Sequence, residues 1–171
     1  LNIYSKYSLL PVAIIILSFF YSCDNIFSPR IDNSSSSSII TDQKTIEGVF
    51  QNFKYAYTFK DTLVYGNLLA DDFIFIYRDY VKGYDVSWDR QTDMKTTNGL
   101  FQNSQRLDII WNNIVYQQGD SLNVSVKRSF NLSITFNPSD IVLLNGFVDM
   151  TLSRPTVDDK WMINKWRDES F

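Results

Sequence analysis

The chain has no histidine and a single cysteine in 171 residues. The first absence excludes Ser-His-Asp and Cys-His catalysis and every histidine-ligated metal. The second excludes an intrachain disulfide and a cysteine-built zinc site. Glycine is sparse at six residues, with no G-x-G-x-x-G or Walker pattern, so nucleotide binding has no support. Lysine and arginine form no cluster and the net charge is −3, which argues against nucleic acid as a partner and against a polybasic membrane patch. Asp79, Gly83, Asp85 and Asp89 lack the order and the bidentate glutamate of a calcium loop and are expected in a simple loop. Neither a metal nor a cofactor is implied.

What the chain does have is apolar and aromatic side chains, 44% and 16% of its residues. That is enough for one folded core, while a mean hydropathy of −0.17 excludes a polytopic membrane protein.

Residues 1–22 carry one charged side chain, Lys6, followed by an apolar run from Leu9 to Phe20 that ends at Tyr21-Ser22-Cys23. The run is shorter than the roughly 18–20 residues of a membrane span and contains Pro11, so it is expected to be a cleaved export signal. Phe20-Tyr21-Ser22-Cys23 resembles the box of a bacterial lipoprotein signal, although Phe20 replaces the usual leucine and Tyr21 is bulkier than typical. The resemblance implies that Cys23 becomes a lipid-modified first residue, anchoring the protein to the cell envelope; the alternative is a free thiol behind an ordinary signal. Residues 23–40, with the five serines Ser34 to Ser38, read as a flexible tether, and residues 41–171 as the folded domain. The first residue is Leu1 rather than methionine, as expected of a truncated sequence or an alternative start codon.

From Thr41, read as an N-cap, the apolar residues Ile46, Val49, Phe50, Phe53 and Tyr57 follow the period of an amphipathic helix. Asp61 is expected to cap a second short helix carrying Leu63, Val64, Leu68 and Leu69, and Asp71-Asp72 to break into a strand over residues 73–77. A third helix is expected from Trp88 to Phe101 with Ser87 as its cap. After Arg106 the period changes to two. From Leu122 to Phe136 every even position is apolar except Arg128, and every odd one is polar. The turn cluster Asn137-Pro138-Ser139-Asp140 then leads into a partner strand, Ile141 to Arg154, and Lys160 to Asp168 close the chain as a last strand. Helices first and an antiparallel sheet afterwards give an α+β class.

Asp61, Leu68-Leu69-Ala70-Asp71-Asp72-Phe73 and the closing Trp161-Met162-Ile163-Asn164-Lys165-Trp166-Arg167-Asp168 resemble the nuclear-transport-factor-2-like, or SnoaL-like, superfamily. The resemblance covers residues 42–171. It implies a cone in which a strongly curved antiparallel sheet wraps around the first helix and leaves a pocket at its open end. That architecture serves isomerases, cyclases, hydratases and many proteins without chemistry, so it does not name a function. Homodimerisation through the sheet is common in the superfamily and is implied here.

Ketosteroid-isomerase-like members place a tyrosine on the first helix and an aspartate at the end of the first strand. Alignment on Ala70-Asp71-Asp72 puts Phe53 and Tyr77 at those positions. Phenylalanine has no proton for an oxyanion, and a phenol of pKa about 10 is a poor base at neutral pH. Asp149 and Asp168, each on an expected strand, remain candidates for a pocket acid or base. Arg128 either points into the pocket to meet an anionic group, marks a bulge to solvent, or pairs with Asp149. Phe53, Tyr57, Tyr77 and Trp111 are the aromatic candidates for a pocket lining, with core packing as the alternative, and Trp161 and Trp166 are read the same way.

The leading expectation is a lipid-anchored, non-catalytic domain that binds a small apolar ligand or a protein partner. Its rivals are a proton-transfer enzyme acting on a hydrophobic substrate and an interaction domain whose cone has closed around its aromatics. A ligand site of drug size would need about 300 Å³, and a raised carboxylate pKa inside it would favour the enzyme.

Overall fold

The computed structural model describes residues 39–170. The expected export signal, Cys23 and residues 23–38 of the expected tether lie outside the described residues. Helix α1 spans Ile46–Phe59 and buries Val49, Phe50, Phe53 and Tyr57 of the periodic set, together with Ala56, while Ile46 at its start is only partly buried. Each buried Phe contributes about 1.5–3 kcal/mol relative to its exposed state. The cap is Thr45, whose side chain accepts from Gly48 N, rather than Thr41. Thr41 instead donates its hydroxyl to Gly48 O, because the preceding segment folds back along the helix.

That segment is pinned by Gln43, a buried residue in the left-handed conformation at φ 63°. Its Nε2 donates to Trp161 O at 2.6 Å and to Asn67 O at 3.2 Å, and its Oε1 accepts from Asn52 Nδ2 at 3.3 Å. Trp161 N in turn donates to Gln43 O.

Asp61 caps the short helix α2, Thr62–Gly66, by accepting from Leu63 N and Val64 N. The helix stops before Leu68 and Leu69, which were expected on it, because strand β1 runs from Leu69 to Asp79; Asp71 and Asp72 lie within that strand, both exposed, rather than preceding it. The strand forms a hairpin with β2, Tyr84–Asp89, through a turn in which Gly83 takes a φ of 76°. Ser87 and Trp88 therefore belong to a strand, paired with Ile76 and Phe75. Helix α3 begins later, at Arg90–Asn103, capped by Asp89 accepting from Thr92 N. Carboxylate and hydroxyl caps serve a helix start equally well, and pairing with β1 decides between them.

Strands β3 (Arg106–Gly119), β4 (Asn123–Asn137), β5 (Asp140–Ser153) and β6 (Met162–Ser170) complete one sheet in the order β2-β1-β6-β5-β4-β3. The class is α+β, as expected. The sheet is mixed rather than antiparallel, because β1 and β6 pair in parallel, with Phe75 opposite Trp166. Register shifts within four of its five strand pairs bend the sheet around the helices. The alternating side chains Val124, Val126, Phe130, Val148, Met150, Leu152, Ile163 and Trp166 are buried on the inner face.

Candidate functional site

A cavity of about 230 Å³ lies inside the cone, between α1, α3 and the inner face of the sheet. It is below the roughly 300 Å³ at which drug-sized sites begin. It is nonetheless larger than the roughly 150 Å³ apolar cavity that takes benzene. The cone is thus not closed around its aromatics. Phe53 and Tyr57 from α1, Tyr65 from α2, Phe75 and Trp88 from the first hairpin and Trp166 from β6 supply much of the wall. Half-buried Leu132, Leu144 and Ser170 and exposed Thr96 form its outer part. Trp166 stands at 73° to Phe53 and 78° to Phe75, with centroids 5.2 and 5.1 Å away, so these rings meet as the corners of a box. The indole Nε1 of Trp166 is buried and has no hydrogen-bond acceptor among the described residues.

Two carboxyls interrupt this apolar wall. Asp93, on the inward face of α3 with Thr97 and Phe101, is 3% exposed. Its Oδ2 accepts from Tyr65 Oη at 2.6 Å and its Oδ1 from Trp88 Nε1 at 2.9 Å. Burial raises its pKa above the ordinary carboxylate value, and these two bonds to the charged form offset only part of the rise. Asp168, near the end of β6, accepts from Ser170 Oγ at 2.9 Å and is also raised by burial. The Tyr57 hydroxyl lies within electrostatic reach of both carboxyls, and burial together with their negative charge pushes its pKa well up. Tyr65 is raised by burial and by its neighbours Tyr57 and Asp93, so both phenols stay protonated at neutral pH and act as hydrogen-bond donors.

Of the residues singled out in the sequence, Phe53, Tyr57, Trp111, Trp166 and Asp168 meet at this cavity. Tyr77 packs beside Trp88 with ring centroids 5.4 Å apart but is not part of the wall. Trp161 is buried elsewhere, under the Arg154 guanidinium. Asp149 alternates with buried Val148 and Met150 and so sits on the outer face, paired in register with Lys127 and Arg167.

Arg128 does face inward, yet it is no part of the cavity. Its Nη1 donates to Glu47 Oε2 at 2.6 Å, its Nε donates to Asn112 O at 2.8 Å, and its guanidinium lies 4.7 Å from the Phe50 ring centroid. The partner is Glu47 rather than Asp149, and the bulge lies in the neighbouring strand. Irregular pairing of β3 after Trp111 turns the Asn112 carbonyl toward the arginine. Asp93, Tyr65 and Trp88 were not singled out. The signal for Asp93 is its helical spacing, four and eight residues before Thr97 and Phe101.

No protein-family model and no curated protein matches the sequence. Solved structures do match. A proposed scytalone dehydratase from Novosphingobium aromaticivorans aligns with a TM-score of 0.63 at 15% identity over 74% of this chain and 81% of its own. A proposed dehydratase of the NTF2-like family from Streptomyces avermitilis aligns at 0.59 and 12% identity over 74% and 94%. The beta subunit of a proposed aromatic-ring-hydroxylating dioxygenase from Novosphingobium aromaticivorans aligns at 0.59 and 12% identity over 75% and 88%. The helix-filled, curved sheet of this chain is the nuclear-transport-factor-2-like cone fold.

Proposed function

We propose that this chain is a lipid-anchored cell-envelope protein whose cone binds a small, largely apolar molecule without transforming it. The cavity carries the reading: about 230 Å³ of space walled by aromatic side chains, with Asp93 and Asp168 as the polar points that orient a guest. The export signal and Cys23 support the anchor. The apolar side chains Ile110, Ile141 and Leu143, exposed on the outer face of the sheet, support pairing of two copies through that face.

The test is extraction of the full chain, purified without added ligand, followed by mass spectrometry of the extract. A defined small molecule is expected from the wild type and not from Leu132→Trp, which fills the outer part of the cavity. Equal recovery from both, or none from either, overturns the reading.

A second reading follows from Asp168, whose raised carboxyl in the cavity wall suits proton transfer on a hydrophobic substrate. The dehydratase names of two similar structures point the same way. Exchange of a carbon-bound hydrogen of the extracted molecule with solvent deuterium, lost in Asp168→Asn, would replace binding with catalysis.

A further inference from the structure

The charges of the cavity wall are of one sign. Asp93 and Asp168 line it, and no lysine or arginine does. Neither carboxyl makes an ion pair among the described residues. Arg128, the inward-facing arginine of β4, is held by Glu47 and the Asn112 carbonyl. Each carboxylate offers about four acceptor positions. Tyr65 and Trp88 donate to Asp93, and Ser170 donates its hydroxyl to Asp168, so both keep acceptor capacity.

An ionised carboxylate in an apolar enclosure is costly unless a cation compensates it, and the protein supplies none here. An anionic guest would add like charge. Aromatic walls meeting at near right angles favour the opposite choice, since ring faces attract an ammonium most strongly where water is excluded.

Resting on the binding reading above, we infer that the guest is a small organic cation, an aromatic or alicyclic ammonium. Its charged end lies against Asp168 and Asp93, and its apolar body fills the ring-lined box. The uncompensated carboxyls then become the recognition element: they reject anions and give little advantage to a neutral hydrocarbon of the same shape.

The experiment compares benzyltrimethylammonium with neopentylbenzene, its uncharged isostere, and with phenylacetate, binding each to the full chain at neutral pH. Trp88, Trp111 and Trp166 line the cavity and report through their fluorescence. The cation is expected to bind at least about tenfold more tightly than the isostere, as one compensated charge is worth about 1.4 kcal/mol or more. Asp168→Asn should remove most of that preference and Asp168→Glu should restore it. Asp149→Asn, on the outer face, should leave it unchanged. Thermal melting checks that each variant is folded. Tighter or equal binding of neopentylbenzene, or tighter binding of phenylacetate, overturns the cation while leaving the cavity a binding site. Failure of all three probes to bind overturns both readings.

Discussion

Arg128 Nη1 donates to Glu47 Oε2 at 2.6 Å, which ties the middle of β4 to the first turn of α1. The contact fixes the helix against the sheet beside Phe50, next to the cavity wall without forming part of it. The arginine is nearly buried, whereas the Glu47 side chain is half exposed, so the ion pair itself contributes modestly. The Asn112 carbonyl is the partner that loses most if the guanidinium goes.

Arg128→Met is therefore expected to cost about 1–2 kcal/mol of stability, chiefly through that carbonyl and the lost packing on Phe50. Urea unfolding measures it. Ligand affinity should stay within about twofold of wild type once the protein is folded. A selective loss of affinity at unchanged stability would instead place the arginine in the ligand site.

Gly146 holds a φ of 156° opposite Ser170, where a Cβ would lie 2.4 Å from Glu169 O and 2.6 Å from Ser170 Cα. Both obstacles are backbone and cannot swing aside. Gly146→Ala should push the end of β6 outward, cost about 1–3 kcal/mol, and weaken cavity binding because Asp168 and Ser170 ride on that strand. Paired unfolding and fluorescence titrations check both effects; wild-type values in each would show that β5 and β6 do not approach so closely in solution.

The helix–sheet order was legible because both periods are strong. The stripe from Ile46 to Tyr57 predicts α1, and the alternation from Val124 to Phe136 predicts β4. The parallel pairing of β1 with β6 left no such trace, since it joins residues about ninety positions apart through contacts that no local pattern records. Asp93 was hidden for a related reason. Its partner Tyr65 is 28 residues away, and an aspartate on a helix reads as solvated until the facing donors are known. The cavity was legible only as a set of aromatics, because Arg128 looked like its polar group and the outer-face Asp149 could not be told from the inner-face Asp168 without the register.

The buried carboxyls predict how stability follows pH. Asp93 and Asp168 have folded-state pKa values raised above the unfolded value of 3.8, so the folded protein binds more protons than the unfolded chain between 3.8 and the raised values. Their stabilising contribution is full below 3.8 and is lost as pH rises through the folded values. Unfolding free energy should therefore increase as pH falls toward 4, by at most about 1.4 kcal/mol per pH unit for each proton taken up. Asp79, Asp89 and Asp120, whose values are lowered, oppose this only below 3.8. Asp93→Asn should flatten the slope measured by urea titration at several pH values. A slope identical to wild type would mean that Asp93 is not the group responsible.

Gln43 closes the domain near the start of the described residues. Gln43→Ala would leave Trp161 O without its 2.6 Å donor and Asn52 Nδ2 without the Gln43 oxygen, at a cost of about 1–3 kcal/mol. Gln43→Glu is the sharper variant, because its oxygens cannot donate to the carbonyls of Trp161 and Asn67 and its charge is buried. Both should lower the melting temperature, Glu more than Ala. Hydrogen exchange should speed up at Trp161 N, whose acceptor is the Gln43 carbonyl. Protection at Trp161 unchanged in both variants would show that the segment is held by its backbone bonds alone.

Cys23→Ser tests the anchor separately from the cone. Loss of the thiol removes the only atom in the chain to which a thioether-linked lipid can attach, so the variant should leave the membrane fraction and fail to take up labelled lipid. Binding to the cavity should be unaffected, since the domain from residue 41 carries every residue of the cavity wall. Membrane retention equal to wild type would overturn the lipid anchor and point to the apolar run before Cys23 as an uncleaved attachment.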